Sequence, residues 1–202
     1  VFLPMVLSLI ATAIPAGRVI VPRLGARGTL PLGLAVLTGS FLIFSRMTTQ
    51  SSYSQVALPG LIVFGIGLGL TMPVTFNSGT RGVDAKRTGL ASAILSAAQQ
   101  IGGSFGVALM TSYATQHAED YVAEHSEEVR AAAMEAMMRA QALPQSPAGK
   151  QIIEALKAQL VDRAQIEAYA GGFTMMAWIL AGAGAALVAC GIAVSVRRRR
   201  TR

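Results

Sequence analysis

The chain has 202 residues, 52% of them hydrophobic and 13% charged, with a net charge of +7 and a mean hydropathy of +0.51. Ordinary soluble domains carry about 25% charged residues, so this composition argues against a water-soluble globular protein. The bases cluster in short segments beside apolar runs, without the aromatic interleaving of a nucleic-acid surface, so no nucleic-acid partner is expected.

The first apolar segment covers about residues 1–17. It begins with neither an initiating Met nor a basic leader, so the chain reads as lacking an N-terminal portion. Pro4 and Pro15 suit a spanning helix only where neighbours satisfy the carbonyls they free. GRVIVPRLGARG, residues 17–28, carries Arg18, Arg23 and Arg27 and no acid. The second segment, 29–47, has Pro31 near its start, where the ring is cheap, and a short polar turn follows it.

The third segment covers 56–77. Gly65, Gly69, Pro73 and Asn77 recur every four residues and share one helix face. Gly65 and Gly69 permit close backbone approach, and Pro73 is expected to kink or break the helix before its polar end. Thr71, Thr75 and Asn77 at that end either line a cavity or, for Asn77, cap the helix. The Gly-x-Gly-x-Gly at 65–69 lies within an apolar helix rather than after a strand, so it is no nucleotide loop. SGTRGVDAKR, residues 78–87, makes a short basic loop.

The fourth segment, 88–113, reads TGLASAILSAAQQIGGSFGVALMTSY, 26 residues without a charge and long enough to span a bilayer. At about 100° per residue, Leu90, Ile94, Ile101 and Phe105 share one face. Ser92, Ser96, Gln99 and Gly103 lie roughly opposite, and Gly102 and Gly106 add a small-residue stripe. Lipid does not reward Ser, Gln or Gly, so that face must meet protein or water. Two readings stand: tight helix packing with incidental hydrogen bonds, or the lining of a polar transport cavity.

The composition then changes. Residues 116–168 hold nine of the ten acids and five bases. Their Ala, Glu and Met content predicts a helical pair, interrupted around Pro144, Pro147 and Gly149, so 116–170 forms a soluble helical loop. Its charges read as a solvated face, and His117 and His125 as exposed side chains. The last span is 171–196, and 197–202 is a basic tail. The single Cys190 sits in this apolar span as a small packing residue, with no disulfide or metal partner.

If the five segments alternate, the three basic stretches 17–28, 78–87 and 197–202 share one side. They hold eleven Lys/Arg and one acid, against six and nine on the other side. The positive-inside rule makes that side cytoplasmic, with the C-terminus inside and 116–170 extracytoplasmic. The expected fold is therefore an all-α integral membrane bundle in a lipid bilayer. No nucleophile with a nearby His, no metal spacing and no phosphate loop appears, so neither enzyme activity, a cofactor nor a metal is expected.

TGLASAILSAAQQIGGSFGVAL resembles the penultimate helix of the 14-helix, EmrB/QacA-type drug:proton antiporter branch of the major facilitator superfamily. There the pattern is a small-residue run, a polar pair ending in Gln, then G-G-x-x-G. Many members have Arg-Gln where this chain has Gln99-Gln100. GRVIVPRLGARG is similar to a degenerate copy of the superfamily's inner-loop motif, G-x-L-x-D-R-x-G-R. Arg23, Gly25 and Arg27 match, Pro22 replaces the acid, Gly17 stands one residue too far upstream, and Arg18 adds to the basic anchor.

The resemblance implies the C-terminal five helices of a proton-coupled multidrug efflux transporter in the cell inner membrane, working by alternating access. It places Thr71, Thr75, Ser92, Ser96, Gln99 and Gln100 toward a cavity for a drug-like small molecule. It gives Gly65, Gly69, Pro73, Gly102, Gly103 and Gly106 roles in packing and gating. No acid lies within any span, so protons must be handled by the missing N-terminal portion. The alternatives are an exporter of the same superfamily for an amino acid, sugar or lipid, and a non-transporting anchor presenting residues 116–168.

Overall fold

A computed structural model describes residues 2–48, 51–139 and 147–200, and these form helices without a strand. Helix α1 spans Leu3–Pro15, α2 Val21–Phe44, α3 Leu58–Thr80, α4 Thr88–Arg139 and α5 Pro147–Arg200. Wide π-type turns at Ala16–Ile20 and Tyr53–Ala57 lead into α2 and α3. The chain is a multi-pass membrane protein: among the described residues, four continuous helical stretches are long and apolar enough to cross a bilayer.

The first of these, Leu3–Phe44, has 42 residues. At 1.5 Å per residue it would reach about 63 Å, twice a bilayer core of roughly 30 Å. It is not one straight rod. Gly25 adopts φ 66° and ψ 172°, a backbone conformation essentially confined to glycine, and there the chain turns. The packing register shows the reversal. Gly65 sits against Met5 and Ser8, and Gly69 against Leu9 and Thr12, so α1 runs parallel to α3. Gly60 sits against Phe44, Gly67 against Leu37 and Thr71 against Gly33, so α2 runs antiparallel to it. Helix α3 thus packs against α1 on one side and α2 on the other.

Glycine at alternate positions makes this sandwich possible. Residues two apart on a helix point in nearly opposite directions. Gly65 and Gly69 therefore admit α1 on one side while Gly67 admits α2 on the other. A Cβ on Gly69 would fall 2.8 Å from the Leu9 carbonyl, and one on Gly67 would fall 2.6 Å from Leu37 Cγ. Pro73 does not break α3, which continues to Thr80 with Val74 fully buried. The carbonyl that Pro73 leaves without its helical donor is that of Gly69, on the face packed against α1.

Helix α5 packs on the far side of α2. Phe173 meets Phe41 at 5.9 Å and Phe44 at 5.2 Å between ring centres, and Phe41 meets Phe64 edge-on at 5.8 Å. Buried hydroxyls turn back on their own helix: Thr29 Oγ1 donates to the Gly25 carbonyl at 2.8 Å and Ser40 Oγ to that of Leu37 at 2.7 Å.

The expected helical pair is present, but nothing separates it from the spans. Helix α4 runs through residue 113 without interruption to Arg139, and α5 from Pro147 through residue 171 to Arg200. Pro147 and Gly149, expected within a break, open α5 instead, with Pro at a helix start where its missing N–H costs nothing; Pro144 lies outside the described residues. The two extensions pair along a seam of small residues, with Ala114 and Ala133 on α4 and Ala164 and Ala168 on α5 all buried. Tyr113 lies against Gly171 where the pair leaves the apolar region.

Candidate functional site

Helix α4 is launched by the basic loop. Gly82 takes φ 82°, and Asp84 then accepts from the Lys86 backbone N–H at 3.4 Å and, through its carbonyl, from Thr88 Oγ1 at 3.1 Å. About two turns later Leu95 packs against Gly79 of α3, where an added Cβ would fall 2.5 Å from Leu95 Cδ1. Beyond that contact the two helices part. At Gly102, Gly103 and Gly106 an added Cβ would meet nothing within 4 Å.

From Ala97 to Leu109 nearly all of α4 is bare. Its apolar face is open, with Ile101 71% and Phe105 65% exposed. Its polar face is open too: Gln99, Gln100, Gly102 and Gly103 are exposed, and Ser92, Ser96 and Gly106 are half-buried. Neither serine nor either glutamine makes a hydrogen bond among the described residues. Several hydroxyls elsewhere in the spans are satisfied instead. Ser8, Thr38, Thr71, Thr75 and Thr174 all donate to a carbonyl three or four residues back. An amide leaving its donors and acceptors unused in hydrocarbon costs several kcal/mol by order of magnitude. Such a face is costly against lipid.

The residues singled out on α3 behave differently. Thr71 and Thr75 are half-buried and spend their hydroxyls within α3, at 3.0 Å to the Gly67 carbonyl and 2.9 Å to that of Thr71. The Thr71 methyl turns to α2, within 2.5 Å of where a Cβ on Gly33 would stand. No hydrogen bond joins these threonines to α4 among the described residues. Gly65 and Gly69 pack on α1 and Pro73 is half-buried beside them. Gly17 and Arg18, in the turn before α2, and Arg23, Gly25 and Arg27, in its first residues, are all exposed, with Gly25 setting the reversal.

Two features went unread in the sequence. Gly67 and Gly33 form the α2–α3 contact; their signal was the middle glycine of Gly-x-Gly-x-Gly. The histidines of the helical pair stack on tyrosines four residues earlier, His117 on Tyr113 at 3.8 Å and His125 on Tyr121 at 4.0 Å between ring centres. In each, Nδ1 lies 3.0 Å from that tyrosine's carbonyl oxygen. A Tyr-x-x-x-His spacing carries that signal. His117 is exposed as expected, and His125 is half-buried. Between the paired helices lie a hollow of about 360 Å³ beside Ala114 and Ala164 and an apolar one of about 560 Å³ beside Met134, Met137 and Leu160.

No family model matches the chain. Individual proteins do. It is 30% identical over 127 residues to the puromycin resistance protein pur8 of Streptomyces alboniger, which covers 61% of this chain and 25% of that protein. It is 27% identical over 107 residues to the multidrug transporter protein MdtP of Bacillus subtilis, covering 53% of this chain and 19% of the relative. It is 32% identical over 111 residues to a probable actinorhodin transporter of Streptomyces coelicolor, with coverages of 53% and 19%. The chain spans a quarter or less of the length of these curated relatives. Two of these relatives are named as transporters and one for antibiotic resistance, in keeping with the resemblance to the drug-efflux branch of the major facilitator superfamily.

Proposed function

We propose that this chain is the C-terminal part of a multidrug efflux transporter of the major facilitator superfamily, exporting a drug-like small molecule by alternating access. The observation that carries the reading is the polar face of α4. Ser92, Ser96, Gln99 and Gln100 stand in an uncharged span with no partner among the described residues. In the whole transporter this face lines a wet pathway, and the amides offer donors and acceptors to the passing ligand. Thr71 and Thr75 stand at the cavity's edge, their hydroxyls shared with α3. Gly102, Gly103 and Gly106 let a facing helix slide during the rocking of the two halves.

Proton coupling belongs to the same proposal. A coupled exporter needs a titratable group whose proton affinity changes between states, and membrane carboxylates are the common device. None of the five spans contains one, so the coupling group lies in the rest of the transporter. The basic ends face the cytoplasm of the inner membrane, and the helical pair stands outside.

The test is export by the full-length gene in a susceptible host. Resistance to lipophilic drugs that collapses when a protonophore dissipates the proton gradient is the expected result. Unchanged susceptibility to cationic and neutral drugs alike, with the protein present in the membrane, would refute the drug-efflux reading.

A further inference from the structure

We propose that the basic end of the bundle carries a seat for one anionic phospholipid, in the cleft between the start of α2, the end of α3 and the end of α5. The site needs only that these helices cross a bilayer and is independent of what the transporter exports. Helices α2 and α5 are held together by Phe41, Phe44 and Phe173 at one end and approach at Leu34 and Gly184 in the middle. Toward the other end they part, leaving a cleft of about 230 Å³. Leu30, Leu187, Cys190 and Gly191 line it, with Arg27 and Ser78 supplying its polar groups.

The lining is that of an amphipathic guest. Arg27 is exposed and has no ion pair or hydrogen bond among the described residues. The described stretches at this end, 17–28 and 78–87, hold six Lys/Arg and the single acid Asp84. Asp84 is engaged in capping the turn before α4. The positive field therefore selects an anionic head group, and basic pockets between spanning helices take such heads.

The wall below Arg27 is apolar and opens outward. Leu30 lies three residues, about 4.5 Å, deeper along α2. Leu187 precedes the arginine tail by ten residues, or about 15 Å, on α5. Leu187 is 45% exposed. A free phosphate would use the arginine and leave this wall unfilled. A lipid uses both, its phosphate at Arg27 and Ser78 and one acyl chain against Leu30, Leu187 and Gly191.

The experiment is native mass spectrometry of the full-length protein, released from micelles containing equal phosphatidylglycerol and phosphatidylcholine. One phosphatidylglycerol should remain bound in preference to phosphatidylcholine. Arg27→Gln should lower its occupancy about fivefold, the effect of one basic residue at a membrane surface. Gly191→Phe should lower it with the arginine intact, by filling the cleft. A Cβ at Gly191 meets nothing within 4 Å, so this side chain enters open space. Arg46→Gln, on an exposed residue at the opposite end, should change nothing. Equal retention of the two lipids, wild-type retention by both cleft variants, or an equal loss in Arg46→Gln would overturn the proposal. So would complete displacement of the lipid by inorganic phosphate.

Discussion

Gly67 of α3 lies directly under the Leu37 side chain of α2: a Cβ there would stand 2.6 Å from Leu37 Cγ and 3.1 Å from the Leu37 backbone nitrogen. Leu37 is itself buried. The leucine tip could rotate away from an intruding methyl, but its backbone could not. Gly67→Ala should therefore push α2 off α3 and cost about 1–3 kcal/mol, the range for overpacking a filled interface. A drop in thermal midpoint of the purified protein measures it. Gly103→Ala, where nothing stands within 4 Å, is the matched control and should leave the bundle's stability unchanged.

Gly103→Leu asks a different question. The leucine has room within this chain, so insertion and expression should be normal. If α4 slides against a facing helix of the whole transporter, the larger side chain should abolish export. Wild-type efflux by this variant would remove the gating role.

Gln99→Leu with Gln100→Leu tests the wet face. Both residues are exposed and unbonded, so the fold loses nothing. Loss of their hydrogen bonds to the ligand should raise the KM for export about tenfold, equivalent to one good polar contact. An unaltered KM, with normal protein levels, would place the amides away from the pathway.

Gly25→Ala tests the turn between the first two crossings. At φ 66° and ψ 172° a side chain is strained whatever the space around it, and the penalty is about 1–3 kcal/mol. The variant should melt earlier while retaining its helical circular dichroism. Gly17→Ala, in the neighbouring turn and also unobstructed, should be silent.

Ala164→Leu tests the seam of the helical pair. Ala164 is wholly buried against α4, and a leucine there should separate the two helices at a cost of about 1–3 kcal/mol. Faster proteolysis of the pair, with the spans intact, is the expected readout.

Much of the fold is legible because its signals are local and strong. Uncharged runs such as 88–113 announce helices, and the Ala, Glu and Met content of 116–168 announces a helical pair. What sequence reading missed depends on neighbours. Periodicity places Gly67 opposite Gly65 and Gly69, yet only the approach of both α1 and α2 gives the middle glycine its purpose. Pro73 suggests a kink or a break, and α3 runs unbroken past it to Thr80. The change in composition after Tyr113 suggests a joint, whereas helical hydrogen bonding takes no notice of the change from apolar to charged side chains. The site divides in the same way. The faces of α4 follow from 100° steps, while the turning of Thr71 toward Gly33 follows from where α2 lies.

The unbroken passage of α4 and α5 from apolar span to charged pair has a mechanical consequence. A rod without a hinge cannot absorb a tilt at its base; it amplifies it at its tip. Any rocking of these two crossings must sweep the outer end of the pair through a larger arc than the crossings themselves. Under the proposed alternating access, the pair would follow the tilt of its two crossings as their rigid extension.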